Sequence, residues 1–360
     1  MKKILILTVS FGEGHNAAAR GIRDALAQFA PDAQVEMHDL FAETYGLINE
    51  LVRKAYLTLI NRWPRYWGVV YRWLDRKETT TRDLGHFFWP VQNRFARLLE
   101  RFHPDVVVSV FPPYPYMLTQ VLGPNRFCKS VVVVTDSITV NAIWYRCSAD
   151  YFLVPNEQSA VVVSAGGISP ELIRTFGFPV SPKFADLPQD RPFPSEGNRR
   201  VLYMINAGTQ KAAAVVDKLL ALGVQLTVTV GRDEKLRRAI EAAAGGRKLD
   251  IVGWTDQLPR MLGESHLLVG KAGGATVQET IAARCPMIIN HIVSGQEEGN
   301  AQLIVETKSG AVALRPDEVV EQVRGAFAND AKQWREWETN ITQLSRPRAA
   351  LDVAEFLLSI

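Results

Sequence analysis

The sequence predicts two doubly wound α/β domains with parallel sheets, Rossmann-like and in series, facing a cleft. Three observations predict it. Short apolar runs rich in β-branched residues alternate with segments of helical period almost from end to end; a proline-rich stretch interrupts the alternation once; and each half carries a glycine turn where a strand gives way to a helix. The chain has 360 residues, long for one domain and enough for two cores.

In the first half, strands are expected at 4–9, 35–38, 106–110, 130–134 and 151–154, with helical spacing between them, as in Ala18, Ile22, Ala25, Leu26 and Phe29. The first turn lies in LTVSFGEGHNAAARG, residues 7–21, and spells G-x-G-x-x-A. One reading makes it a dinucleotide turn: Gly12 and Gly14 allow close approach, the helix N-terminus meets a pyrophosphate, and Asp39 takes the place of the ribose acid. The other reading starts from His15. A helix N-terminus disfavours the imidazolium, so His15 is biased toward the neutral form, which is what a general base needs.

Between residues 52 and 101 eleven Lys and Arg face four acids, although the whole chain carries only +3. Within that segment YLTLINRWPRYWGVVYRWLDR, residues 56–76, mixes Trp63, Trp67 and Trp73 with Arg62, Arg65, Arg72 and Arg76. Aromatic rings interleaved with basic heads suit the interface of an anionic bilayer; the competing reading is a core helix whose arginines snorkel outward. No nucleic-acid partner is expected.

From residue 177 the text becomes GFPVSPKFADLPQDRPFPSEGNRR, with five prolines and no period, and a linker is assigned to 181–200. Strands then resume at 201–205, 225–230, 248–252, 266–269 and 287–290. Residues 270–279, GKAGGATVQE, form the second glycine turn: Gly273 and Gly274 permit close backbone approach, and Thr276 and the helix N-terminus can serve a phosphate. This is not a Walker A loop, because the lysine precedes the glycine pair. SGQEEGN, 294–300, follows with side chains suited to hydrogen-bonding hydroxyls. A diphosphate cradle in one half and a neutral base in the other together fit a sugar nucleotide.

Other classes lose ground. The apolar run after Lys2 and Lys3 is six residues, short for a signal peptide, and nothing approaches the roughly 20 apolar residues of a spanning helix. Cys128, Cys147 and Cys285 form no C-x-x-C pair, so neither a disulfide framework nor structural zinc is expected, and a reducing cytoplasm fits. No D-x-D triplet occurs, and no metal is expected in catalysis.

The pairing of SFGEGHNAAA with GWTDQLP, GKAGGATVQE and GQEEGN resembles the monogalactosyldiacylglycerol synthases and processive diacylglycerol glucosyltransferases, and more distantly the peptidoglycan GlcNAc transferase MurG. VVVTDSITVNAIW and GFPVSPKF extend the resemblance over most of the chain. It implies the glycosyltransferase B (GT-B) architecture of glycosyltransferase family 28. Residues 1–180 would form an acceptor and membrane domain, 201–335 the UDP-sugar domain, and 336–360 a C-terminal helix packing back on the first domain.

By the same resemblance His15 is the base for the acceptor hydroxyl, and Asp136 orients His15 or the acceptor, its alternative being a helix N-cap. Donor contacts would come from Gly14, Gly208 and Thr209. Gly253, Trp254 and the loop to Leu258 would border the uracil. Gly273, Gly274, Ala275 and Thr276 would hold the diphosphate, Glu279 the ribose, and Gln296, Glu297 and Asn300 the sugar. Trp63, Arg65, Trp67, Trp73 and Trp144 would serve the membrane and acceptor. Where the galactolipid synthases carry His-Pro after TD, this chain has Asn141-Ala142 and keeps Trp144; its NAGTQKA turn is poorer in glycine than the family's.

The resulting expectation is an inverting hexosyltransferase, without cofactor, that moves sugar from a UDP donor to a lipid hydroxyl such as that of diacylglycerol at the cytoplasmic face of the plasma membrane. Three alternatives stand beside it: a MurG-like GlcNAc transferase acting on a polyprenyl or lipid A type carrier, a nonhydrolysing sugar-nucleotide epimerase, and an NAD(P)- or nucleotide-binding module built on the first turn.

Overall fold

The computed structural model describes residues 1–10, 13–46, 85–138, 140–188, 190–293 and 297–360. The chain divides into two compact units, one of Met1–Pro182, Val293–Gln296 and Arg348–Ile360, the other of Lys183–Ile292 and Glu297–Pro347.

In the first unit β1 (Lys3–Leu7), β2 (Gln34–His38), β3 (Val106–Ser109), β4 (Lys129–Val133), β5 (Tyr151–Val154) and β6 (Ile173–Thr175) make one sheet in the order β2-β1-β3-β4-β5-β6. Every pairing is parallel. The inner strands are covered on both faces, so they read as unbroken apolar runs: Ile4, Leu5, Ile6 and Leu7 are all fully buried. Helix α1 (Glu13–Phe29) buries Ala18, Ala19, Ile22, Ala25 and Leu26 along one stripe. Gly21 lies on that stripe for a steric reason, because a Cβ there would stand 2.1 Å from the Pro179 carbonyl oxygen.

In the second unit β7 (Arg200–Met204), β8 (Gln225–Gly231), β9 (Asp250–Gly253), β10 (Leu267–Lys271), β11 (Met287–His291) and β12 (Gly310–Val312) form a parallel sheet in the order β12-β11-β10-β7-β8-β9. Its core gathers Tyr203, Val228, Val269 and Ile288 with Trp334 and Trp337. In each sheet the chain winds outward from one inner strand and then returns to its other side, at β1/β3 and at β10/β7. These are the topological switch points, where the carboxyl ends of neighbouring strands diverge and leave a crevice for a ligand.

Two stretches hold structure that the sequence does not spell out. The proline-rich segment is not free chain: Arg191 donates hydrogen bonds to the carbonyls of Leu262, Gly263, Ala283 and Arg284, and Arg284 donates to Pro188. Two arginines thus strap it to the second unit. Residues 336–360 hold two helices rather than one. The helix Pro316–Leu344, broken where Asn329, Asp330 and Ala331 take positive φ, ends ahead of Pro347, whose ring disfavours helix in the residue before it. The helix Ala349–Ser359 then packs on α1 within the first unit.

Candidate functional site

The first cluster is at the β1/β3 switch point. His15 occupies the first turn of α1, immediately past the carboxyl end of β1. Its ring is edge-on to Phe111 at 5.5 Å between centroids and tilted against Trp144 at 6.0 Å. Its Nδ1 lies 3.3 Å from the Thr135 hydroxyl, just beyond β4. Burial lowers the imidazolium pKa to about 4, against a smaller opposing effect of a hydrogen bond to the Val110 backbone. His15 is therefore neutral at physiological pH, chiefly through desolvation by burial.

Asp136 is not the partner of the His15 ring, and it is not a helix N-cap; Asn141 caps the short turn that follows. Its Oδ2 accepts from the Trp144 indole N–H at 2.8 Å. Burial raises the Asp136 pKa to about 6, opposed by the hydrogen bonds from Trp144 and the Asn141 N–H. Trp144 thus links the two residues, bonded to the carboxylate and packed against the imidazole.

Asp39 bears on the dinucleotide reading. Its Oδ1 accepts from the Ala42 N–H and caps the helix Leu40–Tyr45, while its Oδ2 accepts from the Ser10 N–H. Both oxygens are engaged in holding the turn. Asn16 completes the brace, accepting from Thr8 and donating to Ser10. Gly14 stands apart: a Cβ there would meet nothing within 4 Å.

The second cluster is at the carboxyl edge of the other sheet. Gly273 is the N-cap of the helix Gly274–Ala282 and has no side chain to cap it, and the first turn holds no acid, so its leading N–H groups face the carboxyl edge of the sheet without a cap from that residue. Ala275 lies in that first turn, Thr276 is buried within it, and Glu279 follows one turn on. Glu297 and Asn300, both nearly buried, reach the same turn: Glu297 accepts from Lys271 Nζ at 2.6 Å, and Asn300 donates to the Ala272 carbonyl at 3.0 Å. Gly208, at φ +66, caps the helix that Thr209 opens, and a Cβ on it would lie 3.7 Å from His291 Nδ1. The His291 pKa is lowered, first by burial, with Glu297 opposing and Lys271 and Lys211 reinforcing.

Gly253 ends β9, and Leu258 opens the helix after the loop. Trp254 between them is 69% exposed, with the Arg232 guanidinium 5.5 Å from its ring centroid. All of these positions follow the carboxyl ends of parallel strands, so one edge of the sheet gathers them. Trp63, Arg65, Trp67, Trp73, Gly12 and Gln296 lie outside the described residues. The sequence reading had not singled out Thr135, Lys271 or His291. Among the described residues no group of three His, Cys, Asp or Glu side chains is placed to hold a metal ion, and no helix is long and apolar enough to cross a membrane.

Residues 15–180 match the family described as monogalactosyldiacylglycerol (MGDG) synthase, and residues 204–347 match the glycosyltransferase family 28 C-terminal domain. The chain is 26% identical to the probable monogalactosyldiacylglycerol synthase 2, chloroplastic, of Oryza sativa subsp. indica, covering 98% of this chain and 80% of that protein. It is 24% identical to monogalactosyldiacylglycerol synthase 2, chloroplastic, of Arabidopsis thaliana over the same shares. Among solved structures it is similar to Acinetobacter baumannii MurG, with a TM-score of 0.63 and 14% identity over 100% of both chains. It is also similar to a UDP-GlcNAc 2-epimerase from Neisseria meningitidis, with a TM-score of 0.60 and 12% identity over 99% of this chain and 100% of the other. At such identity these two likenesses speak for the fold, the GT-B architecture.

Proposed function

This chain belongs to the monogalactosyldiacylglycerol synthase-like glycosyltransferases of family 28, and on that premise we propose that it transfers a hexosyl group from a UDP-sugar to the hydroxyl of diacylglycerol, with inversion. The observation that carries the reading is His15, a histidine kept neutral by burial at a strand-end switch point. His15 takes the proton of the acceptor hydroxyl as its oxygen attacks the anomeric carbon. The bond from that carbon to the β-phosphate oxygen breaks, and UDP leaves with the electron pair.

The second unit holds the donor. The leading N–H groups of the helix Gly274–Ala282 and the Thr276 hydroxyl stabilise charge developing on the leaving diphosphate, and Lys271 adds a cation beside the same turn. With those charges supplied by the protein, the reading requires no metal ion. Glu279 contacts the ribose, Trp254 borders the uracil, and Gln296, Glu297 and Asn300 face the sugar. The aromatic and basic residues at 56–76 hold the enzyme on an anionic bilayer, and the chain works as a peripheral protein at the cytoplasmic face of the plasma membrane.

A nucleotide titration tests the donor half of the reading. UDP and UDP-sugars should raise the melting temperature in proportion to the logarithm of their concentration once binding saturates, while NAD and NADP should leave it unchanged. Stabilisation by NAD or NADP with none by UDP would overturn the proposal.

A further inference from the structure

Asp136, the carboxylate that the family resemblance assigns to orienting the base or the acceptor, spends its Oδ2 on an indole rather than on the imidazole. The side chain that reaches the ring is its neighbour Thr135, nearly buried, with Oγ1 3.3 Å from His15 Nδ1. The ring also packs against Phe111 and Trp144, which set its plane but do not decide which nitrogen carries the hydrogen, and one ring N–H meets the Val110 backbone carbonyl, which can only accept. Only polar partners can decide the tautomer, and a hydroxyl can accept as well as donate.

We infer that Thr135 is a positioning residue for the base: its hydroxyl accepts from Nδ1–H of His15, Trp144 pinned by Asp136 covers the ring, and Nε2 is thereby presented unprotonated to the acceptor. Thr135 and Asp136 are successive residues at the end of β4, so they leave the strand in different directions. One meets the imidazole, and the other meets the indole that covers it. The assignment of Nε2 as the attacking nitrogen rests on His15 being the general base, but the tautomer itself does not.

The test therefore begins with the tautomer. In protein labelled with ¹⁵N-histidine, the His15 resonances are identified by their loss in His15→Ala. The parent should show hydrogen on Nδ1 at pH 7, and Thr135→Val should shift the population toward the Nε2–H form. A parent with hydrogen on Nε2, or a tautomer balance unmoved in Thr135→Val, overturns the assignment.

Kinetics supply the second arm, with UDP-galactose and UDP-glucose as donors and diacylglycerol in mixed micelles as acceptor. Thr135→Val should lower kcat about 10-fold with donor KM unchanged, and Thr135→Ser should restore most of it. In the His15→Ala background Thr135→Val should have no further effect, since a residue that acts through the base is silent without it. Equal losses in both backgrounds would make Thr135 merely structural. Parental turnover in His15→Ala would defeat the base reading instead, while the nitrogen spectrum still decides the Thr135 contact.

Discussion

His15 carries the sharpest expectations because its chemistry and its burial are coupled. His15→Ala should lower kcat by about 10²-fold or more and leave UDP affinity unchanged, since a general base acts in the transition state; steady-state kinetics with a parallel UDP titration check this. The pH dependence of stability follows from the same burial. In the folded protein His15 and His266 both have pKa values lowered to about 4, chiefly by burial, while in the unfolded chain both take protons near 6.5. Between those values the unfolded state binds more protons, so acidification costs stability. Asp136 acts oppositely: with a folded pKa of about 6, the folded state binds its proton first as pH falls. Two histidines outweigh one carboxyl, and the melting temperature should fall as pH drops from about 6.5 to 4. A flat or rising melting curve over that range would contradict the burial of these rings. His15 and the glycine pair at Gly273 could be read from sequence because each lies inside a short local motif. Thr135, Lys271 and His291 could not, because each meets its neighbour at the site only through the fold, from a part of the chain distant in sequence.

The two glycines of α1 serve different purposes. A methyl group at Gly21 would drive into the Pro179 and Val180 carbonyls at 2.1 and 2.7 Å, and backbone cannot yield as a side chain can. Gly21→Ala should therefore destabilise the protein by about 1–3 kcal/mol and tilt the helix that carries His15. Gly14 has open space where its side chain would be, so Gly14→Ala should keep or raise the stability, by up to ~1 kcal/mol from helix propensity. If Gly14 is kept open for substrate, that variant should nonetheless raise a substrate KM; thermal melting beside kinetics separates the two cases. The inner strands were legible in sequence because burial on both faces demands continuous apolar runs. The edge strands β6, Ile173-Arg174-Thr175, and β12, Gly310-Ala311-Val312, escaped detection. Three residues hold no period, and an edge strand needs no apolar face on its outer side. The contacts of the proline-rich stretch, assigned as linker over 181–200, were not legible either, because they come from Arg191 and Arg284 reaching distant carbonyls rather than from any local pattern.

For the molecule as a whole, the proposed lipid acceptor makes the segment 56–76 a testable membrane contact. Changing Trp63 and Trp67 to Ser should reduce sedimentation with anionic vesicles while sparing UDP binding; parental binding should rise with anionic lipid and fall with salt, as arginines worth roughly 1 kcal/mol each at such a surface require. A variant that melts early would instead place those rings in a core. The architecture was legible because two glycine turns at strand ends and one proline-rich interruption are whole-chain signals. The transferred sugar was not, since choice between epimers turns on one or two hydrogen bonds that no spacing encodes. The account stands on transfer from a UDP-sugar to a lipid hydroxyl, and the most direct measurement is product analysis. Purified protein is incubated with anionic vesicles containing diacylglycerol and, in turn, UDP-galactose, UDP-glucose and UDP-GlcNAc, and the lipids are resolved by mass spectrometry and anomeric NMR. A diacylglycerol bearing a hexose in β linkage, inverted from the α-linked donor and formed about 10²-fold or more slowly by His15→Ala, is the predicted result; no glycosylated diacylglycerol from any of the three donors would contradict it.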